Sequence, residues 1–407
     1  MGRQISFIHA ADLHLDSPFK GLTSTPEGIF KEIRESTFTA MERLATAAID
    51  KQVDFVLVVG DLFDNEKQSL KAQVRLRRAF EKLNHHGINV YLSYGNHDFI
   101  NGNRYPIEYP ENVYIFPDEK VASFIYEKDG VSIAEIYGFS YENRAVLDSK
   151  ATEYKINHPH IPFHIAMLHG SIQSNTEHDV YAPFQLGDLR EENFDYWALG
   201  HIHKREILKE APNIVYPGNI QGRNRKETGE KGCYHVVLTE SNTEMSFLPL
   251  HAIEFVTMKI DVSECVTIDQ IETIIQAKLD QRVATTPQLI DLNLTSNQAI
   301  VKQWESDKLL EEIIELMNET MINQRNWYYF FNLSVTLYTS EATDFQDGEH
   351  FIGELFRYAD EVENYPFLKE LYHHKQARKY LDPLSDEEDQ WLKSQAKQLL
   401  VNELLKG

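Results

Sequence analysis

Five short runs in the first half of this chain collect carboxylate, imidazole and amide side chains. They are Asp12-Leu13-His14, Gly60-Asp61-Leu62-Phe63-Asp64, Gly95-Asn96-His97-Asp98, His169-Gly170 and Gly200-His201-Ile202-His203. A solitary histidine behind a strand usually does no more than hydrogen-bond its own loop. All five runs in order, each behind an apolar stretch of strand length, describe a metal-binding constellation instead. Oxygen and nitrogen donors without thiolate suit borderline-to-hard divalent ions, Mn²⁺ first, with Fe²⁺ or Zn²⁺ as substitutes. Two such ions roughly 3.5–4 Å apart lower the pKa of a bridging water and clamp phosphate oxygens, so the hydroxide attacks phosphorus in line. Hydrolysis of a phosphate ester is the chemistry to expect. The remaining histidines, among them His9, His158, His160, His164, His178, His235 and His251, read as core, loop or surface residues.

Such ligands must be positioned by elements that end where they begin. The apolar stretches 5–10, 54–59, 88–93, 163–168 and 196–199 are strand candidates, and a buried strand fixes the loop that follows it. All five are expected to deliver their groups to one sheet edge, with glycines beside four of them allowing tight turns. Amphipathic stretches 30–51 and 69–86 have helical period, the second ending in His85-His86-Gly87 as a basic last turn and a C-cap glycine. Lys128-Asp129-Gly130 between two alternating stretches signals a hairpin. The first 250 residues thus read as a layered α/β domain. From 251 to 340 an alternation of strand and helix patterns predicts a small α+β capping domain. An acidic, Gly-containing linker at 341–349 then leads into a helical segment reaching 407.

Composition limits the alternatives. The 407 residues are 42% hydrophobic and 25% charged, with only Cys233 and Cys265 and no stretch near the ~20 apolar residues of a membrane span. No disulfide framework or membrane partner is expected, and a reducing, cytoplasmic setting fits. A net charge of −23 opposes indiscriminate binding to nucleic acid, so a claim about DNA must rest on a local site.

The ordered runs resemble the calcineurin-like metallophosphoesterases and, within them, the SbcD-type DNA repair exonucleases. The opening Phe7-Ile8-His9-Ala10-Ala11-Asp12-Leu13-His14-Leu15-Asp16-Ser17-Pro18 looks closer still to YhaO-like proteins. The resemblance implies a β-sandwich flanked by helices. It also implies two metals, one on Asp12, His14, Asp61 and His203 and the other on Asp61, Asn96, His169 and His201, with Asp61 bridging. His97 is then the acid that protonates the leaving oxygen, and the Asp64 carboxylate its orienting partner. Asp16 departs from the pattern, since many SbcD-type sequences have glycine there. Asn65 and Asp98 stand where the protein phosphatase branch typically has arginine and glutamate.

The substrate expected is DNA, contacted by Arg223, Arg225 and Lys226 beside the metals and by Arg75, Arg77 and Arg78 on the second helix. The resemblance further implies docking of the C-terminal helices on an SMC-like ATPase of the SbcC or YhaN type, and it allows a homodimer. A hydrolase for a cyclic or dinucleoside phosphodiester is the rival reading, and a scaffold with a vestigial centre is a third.

Overall fold

The computed structural model describes residues 3–338, apart from 65–67, 103–106, 174–180, 191, 283 and 323, and only scattered positions beyond 338. The chain divides into two compact units. The first takes in Met1–Thr257, Ala284–Asp291 and Met321–Phe331; the second takes in Met258–Val283, Leu292–Thr320 and Asn332–Gly407.

In the first unit β1 (Gln4–Ala11), β2 (Phe55–Val59), β3 (Asn89–Ser93) and β4 (Val113–Ile115) lie side by side and parallel. A second sheet has β5 (Ala122–Lys128), β6 (Val131–Gly138), β7 (Phe163–His169), β8 (Tyr196–Gly200), β10 (Asn213–Tyr216) and β9 (Glu206–Glu210), in that order across it. Strands β6, β7, β8 and β10 are parallel, with antiparallel β5 and β9 at the edges. Strands β11 (Gly232–Thr239) and β12 (Thr243–Pro249) extend the first sheet antiparallel beyond β1.

The two sheets form a sandwich, and the continuous apolar runs follow from burial on both faces. Phe7, Phe55, Leu57, Val59 and Tyr91 pack inward against Ile136, Ile165, Met167, Tyr196 and Ala198. Their alternates Ile8, Val56, Val58 and Val90 face outward into a cluster with Phe38, Met41, Leu44, Leu76 and Phe80 from α1 (Glu27–Asp50) and α2 (Leu70–Asn84). Ser69 caps α2 by accepting the Ala72 amide at 3.1 Å, and Gly87 closes it at φ +69°. His85 and His86 bond the carbonyls of Glu81 and Lys82, the helix-end role their sequence suggests. Among the described residues the outer face of the second sheet carries no such helix pair. Tyr137, Tyr154, Phe194 and Trp197 bury it under loops, each aromatic ring covering a large area. Asp129 and Gly130 turn the β5–β6 hairpin at φ +54° and +74°, the paired positive φ of a tight hairpin.

Helix α3 (Ile268–Asp280) in the second unit begins at a capping box of Thr267 with Gln270, followed by α4 (Ala299–Ser306) and α5 (Leu309–Met321). A third sheet has the order β13 (Glu254–Asp261), β14 (Gln288–Ser296), β15 (Tyr328–Leu337), and the division into units crosses all three strands. The acidic linker and most of the helical tail fall outside the described residues, as does Asn65. Among the described residues no helix is long and apolar enough to cross a membrane.

His9 lies inside the sandwich, its Nε2 3.0 Å from the Leu199 carbonyl and its Nδ1 3.0 Å from the Tyr196 hydroxyl. The carbonyl can only accept, so Nε2 donates and Nδ1 takes the phenol proton. Burial lowers the His9 pKa to about 3, against 6.5 for the free side chain. Between those values the unfolded chain binds a proton that the folded chain refuses. The stability is therefore complete above pH 6.5 and is lost as pH falls toward 3. The melting temperature of chelator-stripped protein should decline across that window, and less steeply in His9→Gln. Parallel profiles for the two proteins would assign the acid sensitivity to other groups.

Candidate metal centre

Register brings the ligand-bearing loops together. Ala11, Val59 and Ser93 are level at the ends of three parallel strands, and His169 is level with Gly200 across the second sheet. The five loops therefore come from the ends of two facing sheets, not from one sheet edge as the sequence suggested. The first two keep pairing past their strands: the amides of His14 and Leu15 donate to the carbonyls of Asp61 and Leu62 at 3.0 and 2.9 Å.

Asp12, His14, Asp61 and His201 all have positive φ, at 53°, 42°, 49° and 95°, a region costly for residues with a Cβ. Strain concentrated on these four residues aims their side chains into one space. Gly95 and Gly200 are glycine for room: a Cβ on Gly95 would collide with the Asp61 carboxylate, and one on Gly200 with the Val59 carbonyl. Gly60 has both reasons, with φ +72° and His169 occupying the place of its missing Cβ.

Two groups of ligand atoms result, Asp12 with His14 and His203, and Asp12 with Asp61 and His169. Asp61 Oδ2 lies 3.7 Å from His14 Nε2 and 3.5 Å from His169 Nε2, between the two. Asn96 Oδ1 is 3.0 Å from His169 Nε2 and 3.2 Å from His201 Nδ1, completing the second group. All seven residues expected as ligands thus meet in one place. The His201 amide donates to both Asp12 oxygens at 3.1 Å, and Tyr141 and Tyr216 donate to the carbonyls of His169 and Gly170.

These groups suit a cation. The Val59 carbonyl accepts from His169 Nδ1 at 3.1 Å and Glu227 accepts from His203 Nδ1 at 2.8 Å, which leaves each Nε2 with its lone pair. His14 Nε2 and His203 Nε2 are only 3.0 Å apart, and His14 Nδ1 is buried without a hydrogen-bond partner. Burial, with Arg223 and neighbouring imidazoles, drives the His14 pKa well below its ordinary range. Burial also lowers His169 and His203. Burial, then the Asp61 charge, raises Asp12 well above a normal carboxylate. For Asp61, burial works upward, but His169, His97 and the His97 amide bring it below its usual value. Neutral imidazoles beside buried carboxylates are what a divalent ion takes as ligands, and such carboxylates are costly to bury uncompensated.

Around this set the structure departs from expectation at two residues. His97 Nδ1 bonds Asp64 at 3.0 Å, but through the Asp64 main-chain carbonyl. The Asp64 carboxylate instead binds the Arg223 guanidinium, with Ser17 Oγ 3.4 Å away. Arg223 is correspondingly turned inward and largely buried, not a free DNA contact, whereas Arg225 and Lys226 are exposed. Of the three arginines on α2, Arg75 is held by Glu35 and Glu42 and stacks 4.2 Å over Phe38, and Arg77 lies 3.3 Å from Glu81, whereas Arg78 is exposed. Asp98 is inward: its carboxylate accepts the amides of Leu62 and Gly95 at 2.6 and 2.8 Å, tying two loops together. Burial and Asp61 raise its pKa to about 8. Asp16 has φ +61°, which explains why glycine is at home in this position, and its carboxylate is 3.4 Å from Arg34.

Carboxylates and imidazoles converging at the ends of a two-sheet sandwich define a metallophosphoesterase. The sequence profile of the calcineurin-like phosphoesterases matches residues 5–205. The chain is 39% identical to the uncharacterized metallophosphoesterase YhaO of Bacillus subtilis, over 98% of each chain. It is also 25% identical to the DNA double-strand break repair protein Mre11 of Sulfolobus acidocaldarius, covering 69% of this chain and 72% of that one. With Mre11 of Nanoarchaeum equitans it is 26% identical, covering 65% and 73%. This protein belongs to the calcineurin-like phosphoesterase family and is a metal-dependent phosphoesterase.

Proposed function

We propose that this chain is a DNA nuclease of two-metal type that works with an SMC-like ATPase in DNA repair. The observation that carries the metal centre is Asp61 Oδ2 lying between His14 and His169, with the other four candidate ligands around it. Asp12, His14, Asp61 and His203 would hold one divalent ion and Asp61, Asn96, His169 and His201 the other, Mn²⁺ being the best match to these donors. Ions so held supply Lewis acidity toward the phosphodiester and toward water.

The chain's own groups do the rest. Asp12 and Asp61 bring the negative charge, and the His201 and His97 amides hold those carboxylates in place. His97 donates its Nδ1–H to the Asp64 carbonyl, which fixes the ring, and as the imidazolium it would carry a second proton on Nε2 to pass to the leaving oxygen. The DNA reading draws on the repair proteins named among the relatives, with Arg225 and Lys226 as candidate contacts to backbone phosphate. The ATPase is supported by the apolar pattern of the tail, for example Trp391, Leu392, Leu399, Leu400 and Leu404 in one stretch.

The test is one series with Mn²⁺-loaded protein. It should cleave bis-p-nitrophenyl phosphate and linear DNA, act poorly on cyclic dinucleotides, and co-purify with the ATPase only when residues 349–407 are kept. Preference for the cyclic dinucleotide would overturn the DNA reading, and binding of the ATPase by the truncated chain would overturn the role of the tail.

A further inference from the structure

Glu227 was not among the residues whose pattern pointed to chemistry, yet three donors converge on its carboxylate. His203 Nδ1 lies 2.8 Å from Oε1, and Asn219 Nδ2 and the Arg223 amide each lie 2.7 Å from Oε2. Asn219 follows the turn at Gly218, whose φ of +76° and missing Cβ let the chain pass close to the His203 carbonyl. Lys231 Nζ donates to that same carbonyl at 3.1 Å. The segment 218–231 thus wraps His203 from the side away from its Nε2.

His203 Nδ1 has a second neighbour with the opposite demand. Arg223 Nη2 is 3.2 Å away and can only donate, which would require a lone pair on Nδ1. Glu227 can only accept, which requires a proton there. The imidazole has one proton to place, so the two partners select opposite tautomers. With Nδ1–H toward Glu227, Nε2 keeps its lone pair and can bind a cation. With Nδ1 accepting from Arg223, Nε2 carries the proton and cannot. The shorter contact belongs to Glu227. Arg223 is also drawn off, its Nη1 on the Asp64 carboxylate and its Nη2 3.6 Å from Glu227 itself.

We infer that Glu227 is a positioning residue that selects the metal-binding tautomer of His203, with Asn219 and the Arg223 amide holding its carboxylate and Arg223 as the competitor it must outbid. The inference rests on the two-metal reading and adds to it a residue that touches neither ion nor substrate. Outer partners of this kind orient ligand histidines and typically account for 10–100-fold in metal affinity. Glutamine is a poor replacement, because its NH₂ faces two donors in one orientation of the amide and Nδ1 in the other.

The test uses the full chain, with Mn²⁺ titrated calorimetrically into chelator-stripped protein and ¹⁵N-histidine NMR recorded without metal. Wild type should take up two ions. Glu227→Ala should hold the one at His203 about 10–100-fold more weakly and the other nearly unchanged. Glu227→Gln should fall between, and serves where the alanine variant melts too early to titrate. In the metal-free spectra His203 should change from the Nδ1–H to the Nε2–H tautomer in Glu227→Ala, which mere loosening of the loop would not cause. Wild-type affinity for both ions with an unchanged His203 tautomer would overturn the positioning role while leaving the metal centre in place. Failure of the wild type to bind any ion would overturn the metal centre itself, and the positioning role with it.

Discussion

Asp61→Ala is expected to empty both metal positions at once, whereas His14→Ala should weaken chiefly one. Asp61 Oδ2 is 3.7 Å from His14 Nε2 and 3.5 Å from His169 Nε2, so a single carboxylate oxygen faces a histidine of each group. Losing both ions removes several kcal/mol of transition-state stabilisation, roughly 10³-fold or more in turnover. The alanine variant also strips the His97 amide of its 3.0 Å acceptor, a buried loss of about 1–3 kcal/mol. Asp61→Asn keeps that acceptor and most of the shape while halving the site's carboxylate charge, and so separates metal loss from misfolding. Metal content of the purified variants decides the matter. Two ions retained by Asp61→Asn and Asp61→Ala alike would show that the bridge lies elsewhere, with Asp12 the next candidate since it belongs to both groups.

For His97→Ala the expectation is the reverse combination, with both ions retained and turnover down by roughly 10²–10⁴ on a substrate with an alkoxide leaving group. The ring bonds the Asp64 carbonyl and stands edge-on to His14 at 5.0 Å between centroids, so it borders the ligand set without joining either group. A p-nitrophenyl ester, whose leaving group hardly needs a proton, should be hurt much less. Equal loss on both substrates would remove His97 from the acid role and make it a support for His14. Because the orienting contact is a main-chain carbonyl, Asp64→Asn should spare this function. The cost of that change should fall on Arg223, whose guanidinium loses a charged partner.

The sequence was most readable where one physical constraint dominated. Runs such as 55–59 are apolar because both faces are buried, and the groups behind them follow the strand ends directly. His85-His86-Gly87 and Lys128-Asp129-Gly130 announced a helix end and a hairpin turn because each meets a particular backbone demand. The edge strands β9 and β12 escaped notice because an edge strand need not be apolar, the interior β10 because four residues carry almost no pattern, and α4 because eight residues give little more than two turns of it. That the ligand strands belong to two sheets was hidden as well. Periodicity describes a strand and not its neighbours, and the order β5-β6-β7-β8-β10-β9 is a property of pairing. Arg223 was misread and Glu227 missed for a related reason. In the charged stretch 223–230 every residue looks like surface, and only the fold around Gly218 and Asn219 turns those two inward. The backbone strain at Asp12, His14, Asp61 and His201 leaves only a weak signal in the sequence, since aspartate and histidine take up positive φ more readily than most residues but too rarely for residue type alone to place it.

The division of the candidate ligands between the sheets bears on the order of assembly. Asp12, His14, Asp61 and Asn96 follow strands of one sheet, and His169, His201 and His203 follow strands of the other. A chain emerging from the ribosome completes the first four 73 residues before His169 and 107 before His203, at about 5–20 residues per second. Through that interval neither proposed coordination shell can close, because each draws on both sheets. Capture of an ion is thereby postponed until the halves of the sandwich have docked. Ions held there would then act as rivets through the layers, and prising the sheets apart would mean extracting them.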